Sequence, residues 1–256
     1  MKNVKPSNYR YLAVILVSVL LLGCAILPAH AETADSLHLY LGIPFDTGTV
    51  EMVTDVLSKE KGVPFEMDPN GGLCGYARNI EEFGYLFDIQ VDISNGKPQR
   101  AYSFVTGEEF TRYPPAIERI LLRTNQPGWR DLNEALPYVP TTIDQFMDMY
   151  HQLTQQYGQP DIQYFTASPE HDHQYKLYLF PDGQWHPDIM RQIVTDDDRL
   201  VAVNYWGNVC LKLDIDLGVR YKNFYYTSIH LSYHAEDYTE GFYERNTVES
   251  YPTNPV

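Results

Sequence analysis

TIDQFMDMYHQLTQQYGQP, residues 142–160, is the stretch from which the fold is read. Ile143, Phe146, Met147, Tyr150, Leu153 and Tyr157 recur at helical spacing and make one apolar stripe, which predicts a helix over 143–157. Thr142 is placed as its N-cap, with Gln145 three residues on to complete a capping box. Gly158 and Pro160 supply the stop. A helix with one apolar side has to bury it against a second layer.

The flanking sequence supplies that layer as strands. Downstream, 161–166, 174–180, 200–206, 209–215 and 225–233 are read as strands, with turns at Pro181–Gly183 and Asp196–Asp198. Upstream, Val50, Val53, Val56 and Leu57 predict a helix over 50–61 that Gly62 stops. Phe87, Ile89, Val91 and Ile93 alternate with polar residues as a half-buried strand, and Asn95-Gly96 turns it back into a partner at 100–105. A short helix over 116–123 is expected after Pro114-Pro115.

The order is therefore helix, strands, connector, helix, strands. With few connections long enough for parallel crossovers, this is an α+β chain whose helices pack on one face of an antiparallel sheet. The expected organisation is a first half at 32–124, a connector at 125–141, a second half at 142–234 and a polar, frayed tail at 235–256. The two halves are read as a tandem repeat forming one continuous sheet or two adjacent ones.

Residues 1–31 are read as an export signal. Lys2, Lys5 and Arg10 precede an uncharged run from Tyr11 to Leu27, and Ala29-His30-Ala31 places small residues where a signal peptidase cuts, after Ala31. A competing reading takes Leu21-Leu22-Gly23-Cys24 as a lipobox with Cys24 lipidated. The apolar Ala25-Ile26-Leu27 that follows is a poor tether, which favours the Ala31 cut. The run is 17 residues long, short for a bilayer span of about 20, and no second run exists. The expected location is thus the medium or the cell envelope, with no span left after signal removal.

The chain has 19 basic residues, three of them in that leader, and 34 acidic ones. The remainder carries a formal charge of −18, which disfavours nucleic acid and anionic headgroups as partners. Twenty-one tyrosines suit half-buried strands first and binding surfaces second. Cys74 and Cys210 are the two cysteines beyond the leader, and an exported protein permits them to pair. The alternation of Val209, Leu211, Leu213 and Ile215 puts Cys210 on the more polar side with Lys212 and Asp214, where a bridge is more natural than a buried thiol.

Leu41-Gly42-Ile43-Pro44-Phe45 before the first helix, and Tyr157-Gly158-Gln159-Pro160 after the second, resemble small exported modules that pair a helix with an antiparallel sheet. Examples are the outer-membrane assembly lipoproteins and the β-lactamase inhibitor protein fold, in which the module occurs twice. Those families bind proteins without catalysis, so the resemblance implies a binding module. It carries over no functional residue.

Three constellations invite chemistry. His171-Asp172-His173 beside Glu170, with His186 and Asp188 as further ligands, is a candidate metal site, against the plainer reading of a solvated loop. His230 and His234 suggest a metal pair, but on a strand they stand about 13 Å apart, too far for one ion. With Ser228, Ser232 and Tyr226 they instead line a sheet surface, the candidate binding surface. Cys74 has no histidine near it in sequence to act as a base, and the pairs Glu81-Glu82 and Glu108-Glu109 are read as solvated or near a helix start. Trp129, Trp185 and Trp206 are read as buried anchors rather than sugar platforms. No phosphate loop, nucleophile elbow or H-E-x-x-H occurs, and no cofactor is expected. The expected function is a non-catalytic exported module that recognises a protein or glycan. An envelope hydrolase, metal-assisted through His171 and His173, and a structural envelope subunit are the alternatives.

Overall fold

The stripe of residues 142–160 lies in a longer helix than its caps predict. In the computed structural model the helix α3 spans Tyr138–Tyr157, and Ile143, Phe146, Met149, Tyr150 and Leu153 are buried. Thr142 is an interior residue, not the cap. Its hydroxyl donates to Tyr138 O at 2.9 Å and lies 3.0 Å from Thr227 Oγ1. The chain enters through Pro137, whose fixed φ of −62° is already helical, and the box with Gln145 does not form. Gly158 ends the helix at φ +88°, with its N–H bonded to Thr154 O.

The structure describes residues 37–251 apart from 71, 98, 103–108, 113, 125–127, 168–175, 219–224, 238 and 240–241. The leader with Cys24 and Ala31, and the loop with Glu170, His171 and His173, lie outside the described residues. After a short 3-10 turn at Tyr40–Gly42 comes α1, Val50–Lys61, capped by the Thr49 hydroxyl and ended by Gly62 as predicted. The strands are β1 Glu66–Met67, β2 Cys74–Glu82, β3 Tyr85–Ile93, β4 Gln99–Tyr102, β5 Glu109–Arg112, β6 Ile117–Thr124, β7 Ile162–Ala167, β8 Leu177–Leu179, β9 Arg199–Trp206, β10 Val209–Asp216, β11 Tyr226–His234 and β12 Val248–Ser250. The remaining helices are α2 Leu132–Ala135, α4 Pro187–Asp197 and α5 Phe242–Arg245.

Ten strands form one sheet in the order β1-β2-β3-β6-β11-β10-β9-β7-β8-β12, and β4 and β5 form a separate pair. Every described pairing is antiparallel except that of β12 with β8. The fold is α+β, and its sheet is continuous across both halves, because β6 of the first pairs with β11 of the second. One sheet face carries Phe87, Ile89, Ile120, Leu122, Ile229, Leu231, Leu211, Leu213 and Ala202, all buried in the main core with Val53 and Leu57 of α1, Phe146 of α3 and Met190 of α4.

Four expectations are corrected. Residues 117–124 form β6, not a helix: a bulge between Asp92 and Ile93 shifts the register, so Ile117 and Ile120 both turn inward and mimic a three-residue repeat. The Asn95-Gly96 turn does not return β3 onto 100–105. That segment leads into β4, which pairs with β5, and the chain comes back to β3 as β6, whose Ile120 and Leu122 face the same core as Val91 and Ile89. Glu109 accordingly starts a strand rather than a helix.

The tail is not frayed throughout. Val248–Ser250 adds a parallel strand to β8, and Tyr251 packs against Phe165, Tyr178 and Phe180. Finally, α4 was not among the expected elements, although Pro187 at its first turn and Met190, Ile193 and Val194 at helical spacing carry its signal. The three tryptophans are buried as expected; Trp206 Nε1 donates to Gly158 O at 2.9 Å and Trp185 Nε1 to Asn204 Oδ1 at 3.1 Å.

Candidate functional site: the polar face of the sheet

Alternation along β11 turns Thr227, Ile229, Leu231 and Tyr233 toward the helices and Tyr226, Ser228, His230, Ser232 and His234 the other way. The register then decides their neighbours. Arg123 of β6 and Lys212 of β10 stand opposite His230, with Asp88 of β3 beyond Arg123. Arg119 stands opposite His234, with Asp92 beyond it. Ser228 faces Asp214, Ser232 faces Cys210, and Tyr226 faces Asp216. The five residues expected to line a surface therefore do share one face, and the structure adds Arg119, Arg123, Lys212 and Asp214 to it. The first two were hidden in sequence by the helical misreading of 116–123.

Each histidine is held by the serine two residues before it on the same face. Ser228 Oγ lies 3.2 Å from His230 Nε2, and Ser232 Oγ lies 2.8 Å from His234 Nε2. Both imidazoles are pushed down to about 4. For His230 the causes are burial, then the charges of Arg123 and Lys212, with Asp214 opposing; for His234 they are burial and Arg119, with Asp92 opposing. At neutral pH both rings are uncharged, so each presents one donor and one acceptor. Burial and the carboxylates of Asp214 and Asp216 push the Tyr226 phenol up to about 12, so it remains a donor.

Charges on this face are largely paired. Arg119 Nε donates to Asp92 Oδ2 at 2.8 Å, and Lys212 Nζ lies 2.7 Å from Asp214 Oδ2. Asp214 Oδ1 is buried with no properly placed hydrogen-bond partner, and exposed Arg123 has no ion-pair partner among the described residues. Ser228 and Ser232 are themselves 3 % and 7 % exposed, so contact from solvent falls to the histidines, Arg119, Arg123, Lys212 and, further along the face, Tyr76 at 40 %. At the other end the face is apolar and covered: Val201, Val203 and Cys210 pack with Tyr164 and Tyr205, and Phe242 of α5 stacks on Tyr164.

A serine beside a neutral imidazole has two of the parts of a nucleophilic site. The carboxylates that act on these rings, Asp214 at His230 and Asp92 at His234, are held by Lys212 and Arg119, and the strand is flanked by ladder partners on both sides. The arrangement suits recognition by hydrogen bonds.

The other predicted sites fare differently. Cys74 and Cys210 are both free, which corrects the expected disulfide. They sit on β2 and β10, four strands apart, hence separated by about 19 Å, where a bridge needs Cα atoms within about 7 Å. Cys210 is the buried thiol that its polar neighbours in sequence argued against, because its patch of the face is apolar; burial pushes it up to about 11. Cys74 Sγ lies 3.0 Å from Tyr76 Oη. Of the extra ligands proposed for His171 and His173, His186 pairs with Asp182 at 2.9 Å and Asp188 with Arg191 at 2.7 Å. Among the described residues no three or more metal-ligating side chains converge, and no helix is long and apolar enough to cross a membrane.

No protein-family model matches the chain, and neither does any curated protein or solved structure.

Proposed function

We propose that the protein is a non-catalytic binding module of the cell envelope or medium, which recognises a protein or glycan through the polar face of β11. The observation that carries this reading is the row Ser228, His230, Ser232, His234 with Tyr226, flanked by Arg119, Arg123 and Lys212, on the sheet face turned away from the core. Neutral imidazoles, a protonated phenol, the exposed Arg123 guanidinium and paired charges form a dense set of donors and acceptors of little net charge. Such a set matches the hydroxyls of a sugar or the polar rim of a protein interface. Its rigidity supports the reading too: the side chains stand on the central strands of a ten-stranded sheet, so little order remains to be imposed on binding. Export by the N-terminal leader is part of the same proposal.

The test pairs localisation with binding. Fractionation of the native cell should recover the processed chain outside the cytoplasm. The purified protein is then screened against immobilised envelope glycans and envelope protein fractions. An Arg123→Ala/His230→Ala double variant with unchanged circular dichroism should lose at least about tenfold in affinity, the loss of one or two good polar contacts. Undiminished binding by that variant would reject the face as the site.

A further inference from the structure

The polar face of β11 is not uniform in charge. Across the sheet at His230 the register sets Arg123 of β6 on one side and Lys212 of β10 on the other. Lys212 is paired with Asp214. Arg123 is exposed and has no ion-pair partner among the described residues; Asp88, next to it on β3, accepts from Asn79 N–H at 3.2 Å. The imidazole between the two cations reports the local field. After burial, the charges of Arg123, Lys212 and Arg119 oppose its proton, while Asp214 favours it. Surroundings that repel a proton attract an anion. Exposed Tyr76 of β2 belongs to the same face, since its neighbour Ala77 is buried in the core. Its register partner Gln90 faces Leu121, two residues from Arg123, so the backbones of Tyr76 and Arg123 lie about 12 Å apart.

We propose that this face takes a glycan with a single acidic sugar, its carboxylate held by Arg123 beside His230 and a neighbouring neutral sugar packed on Tyr76. The proposal rests on the β11 face being the binding surface and names the class of its ligand. A guanidinium is a planar fork that a carboxylate fills with two charge-assisted hydrogen bonds. The neutral imidazoles of His230 and His234 each offer one donor and one acceptor, as a sugar hydroxyl does, so they match a glycan better than a second charged group. The ring of Tyr76 can cover the C–H face of a pyranose, which removes hydrocarbon from water on both partners. Its distance from Arg123 calls for a short oligosaccharide rather than one sugar. The formal net charge of −15 selects the number of acids: a run of them is repelled by the rest of the chain, whereas one carboxylate responds to the field at Arg123.

The probe is sialyllactose, one acidic sugar on two neutral ones, titrated at pH 7 into the full-length, isotope-labelled protein and followed by NMR. Saturable shifts of the His230 ring, the Arg123 Nε–H and the Tyr76 ring at one common affinity are expected. The methyl ester of the same trisaccharide keeps the sugars and removes the charge; it should bind about tenfold more weakly. Arg123→Gln, a change at an exposed side chain, should weaken sialyllactose about tenfold and leave the affinity of the ester unchanged. Tyr76→Ala should weaken acid and ester alike, by about three- to tenfold. A capped Gly-Glu-Gly peptide should leave all three signals in place. Absence of saturable shifts at His230 and Arg123, equal affinity for the ester, full affinity in either variant, or equal binding of the peptide would each overturn the assignment. The ester separates this failure from that of the face itself. An ester bound there as tightly as the acid removes the acidic sugar and leaves a glycan site, whereas saccharide shifts confined to other parts of the protein remove both.

Discussion

Acidification should unlock the polar face, and its size can be worked from the two histidines. In the unfolded chain an imidazole titrates near 6.5, whereas in the fold His230 and His234 are pushed down to about 4. Between those values the unfolded chain binds more protons than the folded one. Stability is therefore complete above pH about 6.5 and falls as the pH drops toward about 4. Each group loses about 1.4 kcal/mol per pH unit in that window, so the pair loses about 4 kcal/mol between pH 7 and pH 5, a large part of the total stability of an ordinary domain. The groups that set this are all on the face: Arg123, Lys212 and Arg119 oppose the proton at His230 while Asp214 favours it, and Arg119 opposes it at His234 while Asp92 favours it. Urea unfolding at a series of pH values, followed by the fluorescence of the three buried tryptophans, measures the loss. The control is His230→Gln/His234→Gln, which keeps a partner for each serine and removes the titration. Carboxylates that titrate in the same range are common to both proteins and cancel. The double variant should lose about 4 kcal/mol less than the parent. Equal losses in the two proteins, or imidazole shifts that titrate near 6.5 in the folded parent, would refute the reasoning.

Two further outcomes are expected. Thiol labelling of the folded chain, read by peptide mass mapping, should modify half-exposed Cys74 and leave buried Cys210 untouched until urea is added; a Cys74–Cys210 linked peptide would contradict the strand order. Gly158→Ala should cost about 1–3 kcal/mol in urea unfolding, because φ +88° with ψ −163° is a backbone region a Cβ strongly disfavours, and an unchanged midpoint would contradict it.

The parts of this fold that were readable in the sequence are those where one periodicity acted alone. Residues 50–61 show a clean helical stripe, and 209–215 a clean alternation; both became the predicted elements. Residues 117–124 follow Pro114-Pro115, a signal for a helix start, yet form a strand, with a bulge that sets two inward residues three apart. The candidate surface had the same strengths and limits. Alternation sufficed to put Ser228, His230, Ser232 and His234 on one side of a strand. It could not say that Arg119 and Arg123 lie beside them, because those residues are more than a hundred positions away and a strand's neighbours are chosen by register.

The sequence by itself determined the class of layers, the inward faces of elements such as 50–61, 143–157 and 209–215, and the surplus of acid. Those follow from side-chain spacing and count, which are local properties of the chain. Only the tertiary structure decided that both halves share one sheet and that the two cysteines are four strands apart. Pairing partners are selected by the fit of whole surfaces, and no short stretch of residues contains the surface it will meet.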